Sequence, residues 1–312
     1  MKAGKVRVDT WEWVKARTAA EGAVWRSNDR SLFKRTGGAE VCAEARFQGM
    51  LADQGFPVPE IVEAGEEKGR FFFIEQSVGE ESLHDIAVRD TKETGTVRQS
   101  TLDTAAEISV RLLTAQTRTA RREPGEGTDW VRRAGFIDNV FAENPDLDTD
   151  RIRKALAMVS ERLHEVPAAY GHLDYGLPNA FRNGVIDWQH HALVPVGFDV
   201  YPMLDITAFK GGGKGYTFTR EQRQSYITTL DKASRDLMGF PLSCFLGDFL
   251  LVKCFFFLAL MRPKDTADQR RQTKWAYRRK LFILGAGSYG HDRRIDTGSF
   301  PTLSSFLADH GQ

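Results

Sequence analysis

Three oxygen-bearing side chains cluster near the middle of the sequence. Asp174 and Asn179 lie in Gly171-His172-Leu173-Asp174-Tyr175-Gly176-Leu177-Pro178-Asn179, and Asp187 lies in Val185-Ile186-Asp187-Trp188. Such a set suits phosphoryl transfer. One carboxylate can orient and deprotonate an acceptor hydroxyl, while an amide oxygen and a second carboxylate hold Mg2+ against nucleotide phosphates. The spacing follows from the chain path. A tight loop presents Asp174, turns through Gly176 and Pro178, and returns Asn179 to the same place. Asn179-Ala180-Phe181 then leaves as a strand, Arg182-Asn183-Gly184 makes a hairpin turn, and Val185-Ile186 comes back to deliver Asp187. Asn-Gly between apolar runs is a strong hairpin signal.

The elements that must position these residues fall into two kinds. Residues 1–78 read as a small strand-rich lobe. Ala23–Arg26 and Ser31–Lys34 are strand candidates around the turn Ser27-Asn28-Asp29. A helix is predicted from Ala39 to Gln54, with Ala43, Phe47, Met50 and Leu51 at helical spacing and Gly55 as its stop. The prolines of Phe56-Pro57-Val58-Pro59 require an extended connector. Strands near Ile61–Ala64 and Arg70–Glu75 flank the turn Glu66–Gly69. Beyond Val78-Gly79 the pattern becomes helical, with helices predicted at Leu102–Thr117, Asp129–Val140, Thr149–His164 and about 219–238, 242–262 and 265–284. Asp90–Thr96 and Arg121–Gly127 read as polar loops. The whole is an α+β chain with a strand-rich N-lobe over 1–78 and a helical C-lobe over 79–312.

The two chemistry-bearing loops resemble the catalytic and metal loops of the aminoglycoside phosphotransferase family, which has a bilobal protein-kinase-like fold. That family writes His-Gly-Asp, a turn ending in Asn, and then Ile-Asp-Trp-Glu. Here the loops read His172-Leu173-Asp174 with Asn179, and Ile186-Asp187-Trp188-Gln189. Leu173 and Gln189 depart from the pattern, and the hairpin between the loops is short, but no group needed for metal or base chemistry is lost. The resemblance implies ATP and Mg2+ as cofactors, Asp174 as catalytic base, His172 as the hydrogen-bonding brace of the catalytic loop, and Asn179 and Asp187 as metal ligands. Lys34 resembles the nucleotide-positioning lysine. Glu44 on the following helix is its expected partner, and Glu40, near the helix start, is the second choice. Phe71–Gly79 resembles the strand and hinge against which adenine bonds, placing the nucleotide base near the backbone of Glu75, Gln76 and Ser77. Ala19–Ala23 stands at the phosphate-covering loop with a single glycine. Asp199 or Asp205 matches the family's structural aspartate. Gly211–Gly215 has the look of a phosphate loop, but its lysine is followed by Gly rather than Ser or Thr. His190-His191 would point to opposite faces of a strand, which favours a surface role over metal binding.

Composition bounds the rest. A chain of 312 residues, 41% hydrophobic and of net charge +1, is long enough for a large core. Its neutrality argues against a nucleic-acid or membrane-surface partner. Three cysteines without metal-ligand spacing read as reduced thiols of a cytoplasmic protein. The apolar run Phe249–Met261 contains Lys253, is too short for a membrane span and reads as a buried helix. The expected activity is phosphorylation of a hydroxyl on a small molecule. A Ser/Thr kinase acting on a peptide and a non-catalytic nucleotide-binding protein are the alternatives. The acidic turn from Glu143 to Asp150 could serve a polycationic acceptor or simply start a helix. The helices after residue 205 and around 129–164 are the expected acceptor surface.

Overall fold

The computed structural model describes residues 10–17, 21–121, 136–204, 215–295 and 300–309. Its contacts divide the chain into two compact units. One comprises Met1–Ile86 with His172–His191, and the other comprises Ala87–Gly171 with Ala192–Gln312.

The first unit is built on an antiparallel sheet of β1 (Trp11–Arg17), β2 (Gly22–Ser27), β3 (Leu32–Gly37), β4 (Ile61–Glu67) and β5 (Arg70–Gln76), in the order β1-β2-β3-β5-β4. Asp29 closes the β2–β3 turn. Its carboxylate accepts from the Ser27 hydroxyl at 2.6 Å and from the Ser31 amide at 3.1 Å. Helix α1 (Ala39–Asp53) packs Val41 and Ala45 against Phe73 of β5, and Gly55 ends it at φ +82°. Glu40 lies in the first turn of α1, where a carboxylate complements the helix dipole. Strand β1 was not foreseen. Residues 12–16 are exposed on its outer edge, so no apolar alternation marks it, and a bulge sits between Trp13 and Lys15.

The second unit is mostly helical. In chain order its helices are the greater part of α2 (Leu83–Thr94), then α3 (Gln99–Thr119), α4 (Phe136–Glu143), α5 (Asp150–His164), α6 (Arg220–Met238), α7 (Leu246–Met261), α8 (Gln269–Asp292) and α9 (Leu303–Asp309). Caps set several boundaries. Thr149 Oγ1 accepts from the Ile152 amide, and Thr219 with Gln222 forms a capping box at α6. Within this unit β6 (Ala168–Gly171) pairs with β9 (Ala192–Pro195), and Gly171 stands opposite Ala192.

Two sequence expectations need correction, and a third is described only in part. Asp90–Thr94 belongs to α2, not to a loop, because the buried Asp90 carboxylate accepts from the Arg98 amide at 3.1 Å and the Thr101 hydroxyl at 2.6 Å. The helix predicted at Asp129–Val140 is described from Phe136, and its earlier residues lie outside the described ones. The segment 242–262 begins as a 3-10 turn over Leu242–Phe245 before α7. Helix α7 is buried as expected, with Phe249, Leu251, Phe255 and Leu258 in the core. Among the described residues, no single helix is long and apolar enough to cross a membrane.

Candidate active site

Strand alternation decides which cation of the pair Lys34-Arg35 faces α1. Residues paired across a ladder share a face. Arg35 pairs with Val24 on one side and Phe73 on the other, and Phe73 packs on α1. Lys34 therefore projects from the other face, where its Nζ lies 2.7 Å from Glu67 and 4.5 Å from the centre of the Phe72 ring. The expected Lys34–Glu44 pair is not made.

Arg35 takes that place. Its Nε donates to Glu75 Oε1 at 2.6 Å, and its Nη1 lies 3.7 Å from Glu44 Oε1 and 3.6 Å from Asp187 Oδ1. Burial alone would weaken the charge. The carboxylates of Glu75, Glu44 and Asp187 outweigh it and hold the guanidinium pKa above its ordinary value. Glu44 is engaged more closely by Arg17, whose Nη2 donates to Oε2 at 2.5 Å. The Gln48 amide donates to Glu75 Oε2 at 2.8 Å and to the Pro59 carbonyl at 3.0 Å, which fixes α1 to the strand. Glu75 is 2% exposed, so its side chain is an anchor for Arg35 rather than a hinge contact. The backbone beside it is also occupied. Gln76 N–H donates to the Glu60 carbonyl and Ser77 N–H to the Ser31 carbonyl, both at 2.8 Å.

The catalytic loop is braced from within. His172 is fully buried, with Nε2 2.8 Å from the Ile186 carbonyl and its ring 4.8 Å from Trp188. Leu173 sits at φ +60°, a left-handed conformation that accounts for the glycine usual here. Asp174 follows with its side chain exposed and its amide donating to the His172 carbonyl at 2.7 Å. A 3-10 turn over Leu177–Asn179 returns the chain, and Asn179 Nδ2 donates to the Asp174 carbonyl at 2.9 Å. A carbonyl can only accept, so this bond fixes the amide orientation and leaves Asn179 Oδ1 as the atom able to act as an oxygen donor.

The hairpin forms as read, with Ala180–Phe181 pairing to Gly184–Val185 across Arg182-Asn183. Gly184 lies in the strand, not the turn. A Cβ there would stand 2.9 Å from both the Pro57 carbonyl oxygen and Val78 Cγ1, and the flanking amides of Asn183 and Val185 donate to Val78 and Pro57. The hairpin is thereby stitched to the connector after α1 and to the segment after β5. It delivers Asp187 at φ +71°, which Asp tolerates better than most residues. Trp188 locks the turn, fully buried, with Nε1 donating to the Val185 carbonyl at 2.9 Å. His190 and His191 lie in an irregular segment rather than a strand. The His191 ring stacks on Phe47 of α1 with centroids 3.5 Å apart.

Asp174, Asn179, Asp187, His172, Glu44, Glu75 and Arg35 thus belong to one compact unit. Asp199 belongs to the other. It is fully buried, 3.7 Å from the buried ammonium of Lys253, and its Oδ2 is near the position a Gly171 Cβ would take. Asp205, residues 19 and 20 of the phosphate-covering segment and Gly211–Lys214 lie outside the described residues. Sequence reasoning missed Arg35, Arg17 and Gln48. The signal for Arg35 was its adjacency to Lys34, but no clean alternation in Leu32-Phe33-Lys34-Arg35-Thr36 fixed the face.

Comparison with known proteins bears on the fold and the family. A Ralstonia eutropha JMP134 protein assigned provisionally as an aminoglycoside phosphotransferase superposes with a TM-score of 0.59 at 15% identity, over 90% of this chain and 92% of that one. An aminoglycoside-3'-phosphotransferase of type VIII gives a TM-score of 0.51 at 20% identity, over 79% and 94%. A Plasmodium vivax ethanolamine kinase gives 0.52 at 12%, over 87% and 82%. At these identities the likeness is one of fold, the bilobal kinase-like α+β architecture. No curated protein matches the chain in sequence. The model of the phosphotransferase enzyme family APH matches residues 25–234, a stretch that runs from the sheet carrying Arg35 through the loops carrying Asp174 and Asp187. The chain belongs to that family and is a phosphotransferase.

Proposed function

We propose that the chain transfers the terminal phosphoryl group of ATP, with Mg2+, to a hydroxyl of a small molecule. One observation carries the reading. The guanidinium of Arg35 stands 3.6 Å from Asp187 and 3.7 Å from Glu44, so the cation of the sheet, its helix carboxylate and the metal-loop aspartate share one polar centre. In this reading Arg35 takes the nucleotide-positioning role that the sequence suggested for Lys34.

The donor set suits Mg2+. Among the described residues no three His, Cys, Asp or Glu side chains gather as a metal cage. Mg2+ needs no such cage, because it is held by one or two protein oxygens together with substrate phosphates. Asp187 would supply a carboxylate oxygen and Asn179 the amide oxygen not used in its bond to Asp174. When bound, the ion neutralises charge on the phosphates.

The remaining roles belong to the chain. Asp174 accepts the proton of the acceptor hydroxyl while the hydroxyl oxygen attacks the γ-phosphorus and the bond to the ADP oxygen breaks. Its exposed carboxylate suits that contact. His172 holds the loop in register. The amides of Gln76 and Ser77 already donate within the unit, which makes the Val78 amide the better candidate to meet the nucleotide base.

The acidic turn supports an acceptor that is not a polycation. Asp146 is bonded to Arg279 and Asp148 to Arg153, so their carboxylates already hold structural partners. The test is ADP release with Mg-ATP across amino sugars, amino alcohols and neutral sugars. One class should support turnover. Asp174→Asn should lower that turnover by about a hundredfold or more while retaining ATP affinity. A protein that bound no Mg-ATP and released no ADP with any class would sink the reading.

A further inference from the structure

Arg17 is the buried cation that this scheme leaves without a task. It ends β1, pairs with Gly22, and so shares a face with Val24 and Arg35. The five residues before it are exposed, yet its own side chain is 7% exposed. Nη2 donates to Glu44. Nη1 is buried and has no hydrogen-bond partner among the described residues. A buried charged donor without an acceptor is costly, and a bound ligand, ion or water that supplies the acceptor is one way such a group is accommodated.

Its position suggests which ligand. Glu44 joins the two guanidinium groups, with Oε2 on Arg17 and Oε1 facing Arg35, and Arg35 leads on to Asp187. A Cβ on Gly22 would stand 1.8 Å from the Thr36 carbonyl oxygen. The β1–β2 hairpin is therefore pressed against β3, one residue beyond Arg35. The sequence between β1 and β2, Thr18-Ala19-Ala20-Glu21, carries no glycine, and the first comes at Gly22 in β2. A protein-kinase covering loop, which holds phosphates by backbone amides, carries several. A guanidinium with open N–H groups matches phosphate oxygens in geometry and charge.

We propose that Arg17 is a second phosphate-binding cation, which places Nη1 on the phosphate oxygens of the bound nucleotide and compensates for the glycine-poor hairpin. This rests on the ATP-dependent reading above. Glu44 then serves two cations and not one. It holds Arg17 closely and Arg35 at longer range, so that both are arranged before nucleotide arrives.

The test is a ligand ladder on the full chain, measured by calorimetry with adenosine, ADP and ATP in Mg2+, on wild type, Arg17→Met and Arg17→Lys. Methionine keeps much of the buried stem and removes the charge. Arg17→Met should leave adenosine affinity unchanged and weaken ATP by roughly tenfold or more, with ADP between them. Arg17→Lys should recover part of that loss. Equal weakening of adenosine and ATP would mean that Arg17 only supports the fold. Unchanged ATP affinity would mean that it does not meet phosphate. Either result overturns the proposal while leaving ATP use intact. A wild-type chain that bound none of the three would instead overturn the nucleotide reading on which it rests.

Discussion

Replacing Lys34 and Arg35 separately tests which cation serves the nucleotide. Lys34→Met removes an exposed ion pair with Glu67, whose side chain is 58% exposed, together with the contact over Phe72. Exposed pairs contribute about 0.2–1 kcal/mol and an exposed cation–π contact about 0.5–1 kcal/mol, so the loss should be near 1 kcal/mol. Arg35→Met is a different perturbation. It removes the cation shared by Glu75, Glu44 and Asp187, from a site where the Arg35 and Glu75 side chains are 5% and 3% exposed. Breaking a buried pair from one side costs about 3–5 kcal/mol. The corresponding fall in Tm should be on the order of 10 °C, against a few degrees for Lys34→Met. Losing one charged contact to phosphate should also weaken ATP by roughly tenfold to a hundredfold. Arg35→Lys keeps the charge but cannot reproduce the Nε bond to Glu75, so its affinity and Tm should fall between those of wild type and Arg35→Met. Melting curves and ATP titrations on the three variants read both effects. If Lys34→Met lost ATP while Arg35→Met kept it, the alternation argument for β3 would be wrong.

Other outcomes follow from the same structure. Asp187→Ala should abolish Mg2+-dependent nucleotide binding, whereas Asp199→Ala should leave that binding intact and destabilise the chain by about 3–5 kcal/mol through its stranded partner Lys253; Mg-ATP titration and thermal melts distinguish the two, and the reverse pattern would reassign the metal ligand. Replacing Asp146, Asp148 and Asp150 together with Asn should leave acceptor KM unchanged and slightly lower Tm, because the first two already bind Arg279 and Arg153; a large rise in KM at constant ATP affinity would restore a polycationic acceptor. His191, desolvated against Phe47, has a pKa below its ordinary value of 6.5. The unfolded chain then binds its proton more readily, so this contribution is present above pH 6.5 and is lost as pH falls through the lower folded value. His191→Gln should flatten that part of the stability–pH profile, and an unchanged profile would exclude the ring as its source.

The parts of the site that sequence disclosed were those written in local chemistry. Asp174, Asn179 and Asp187 stand in loops whose turns depend on Gly, Pro and Asn, and the hairpin formed with the pairing its residues suggest. The cation that meets Glu44, Glu75 and Asp187 was not legible in the same way, because its face depends on a register of period two. Neither Leu32-Phe33-Lys34-Arg35 nor the Phe71-Phe72-Phe73 run opposite it alternates between apolar and polar. Glu75 looked like part of a hinge because it ends an apolar strand. That an adjacent arginine and Gln48, from a helix far off in sequence, would bury its carboxylate is a tertiary fact. Helix α2 was partly misread because its C-terminal half, Arg89-Asp90-Thr91-Lys92-Glu93-Thr94, has the polarity of a loop.

The pairing of Gly171 with Ala192 has a topological consequence. The chain departs from the helical unit at one rung of a two-stranded ladder and re-enters it at the same rung. Everything from His172 to His191 is therefore an excursion whose two ends are already joined, and the β6–β9 ladder has met the entropy of closing it. Such a segment can vary in length without moving its two ends apart. Replacing 172–191 with a short turn should leave the helical unit intact and without chemistry. By the same route a lineage could retune or discard transferase activity while keeping the helical body for another use.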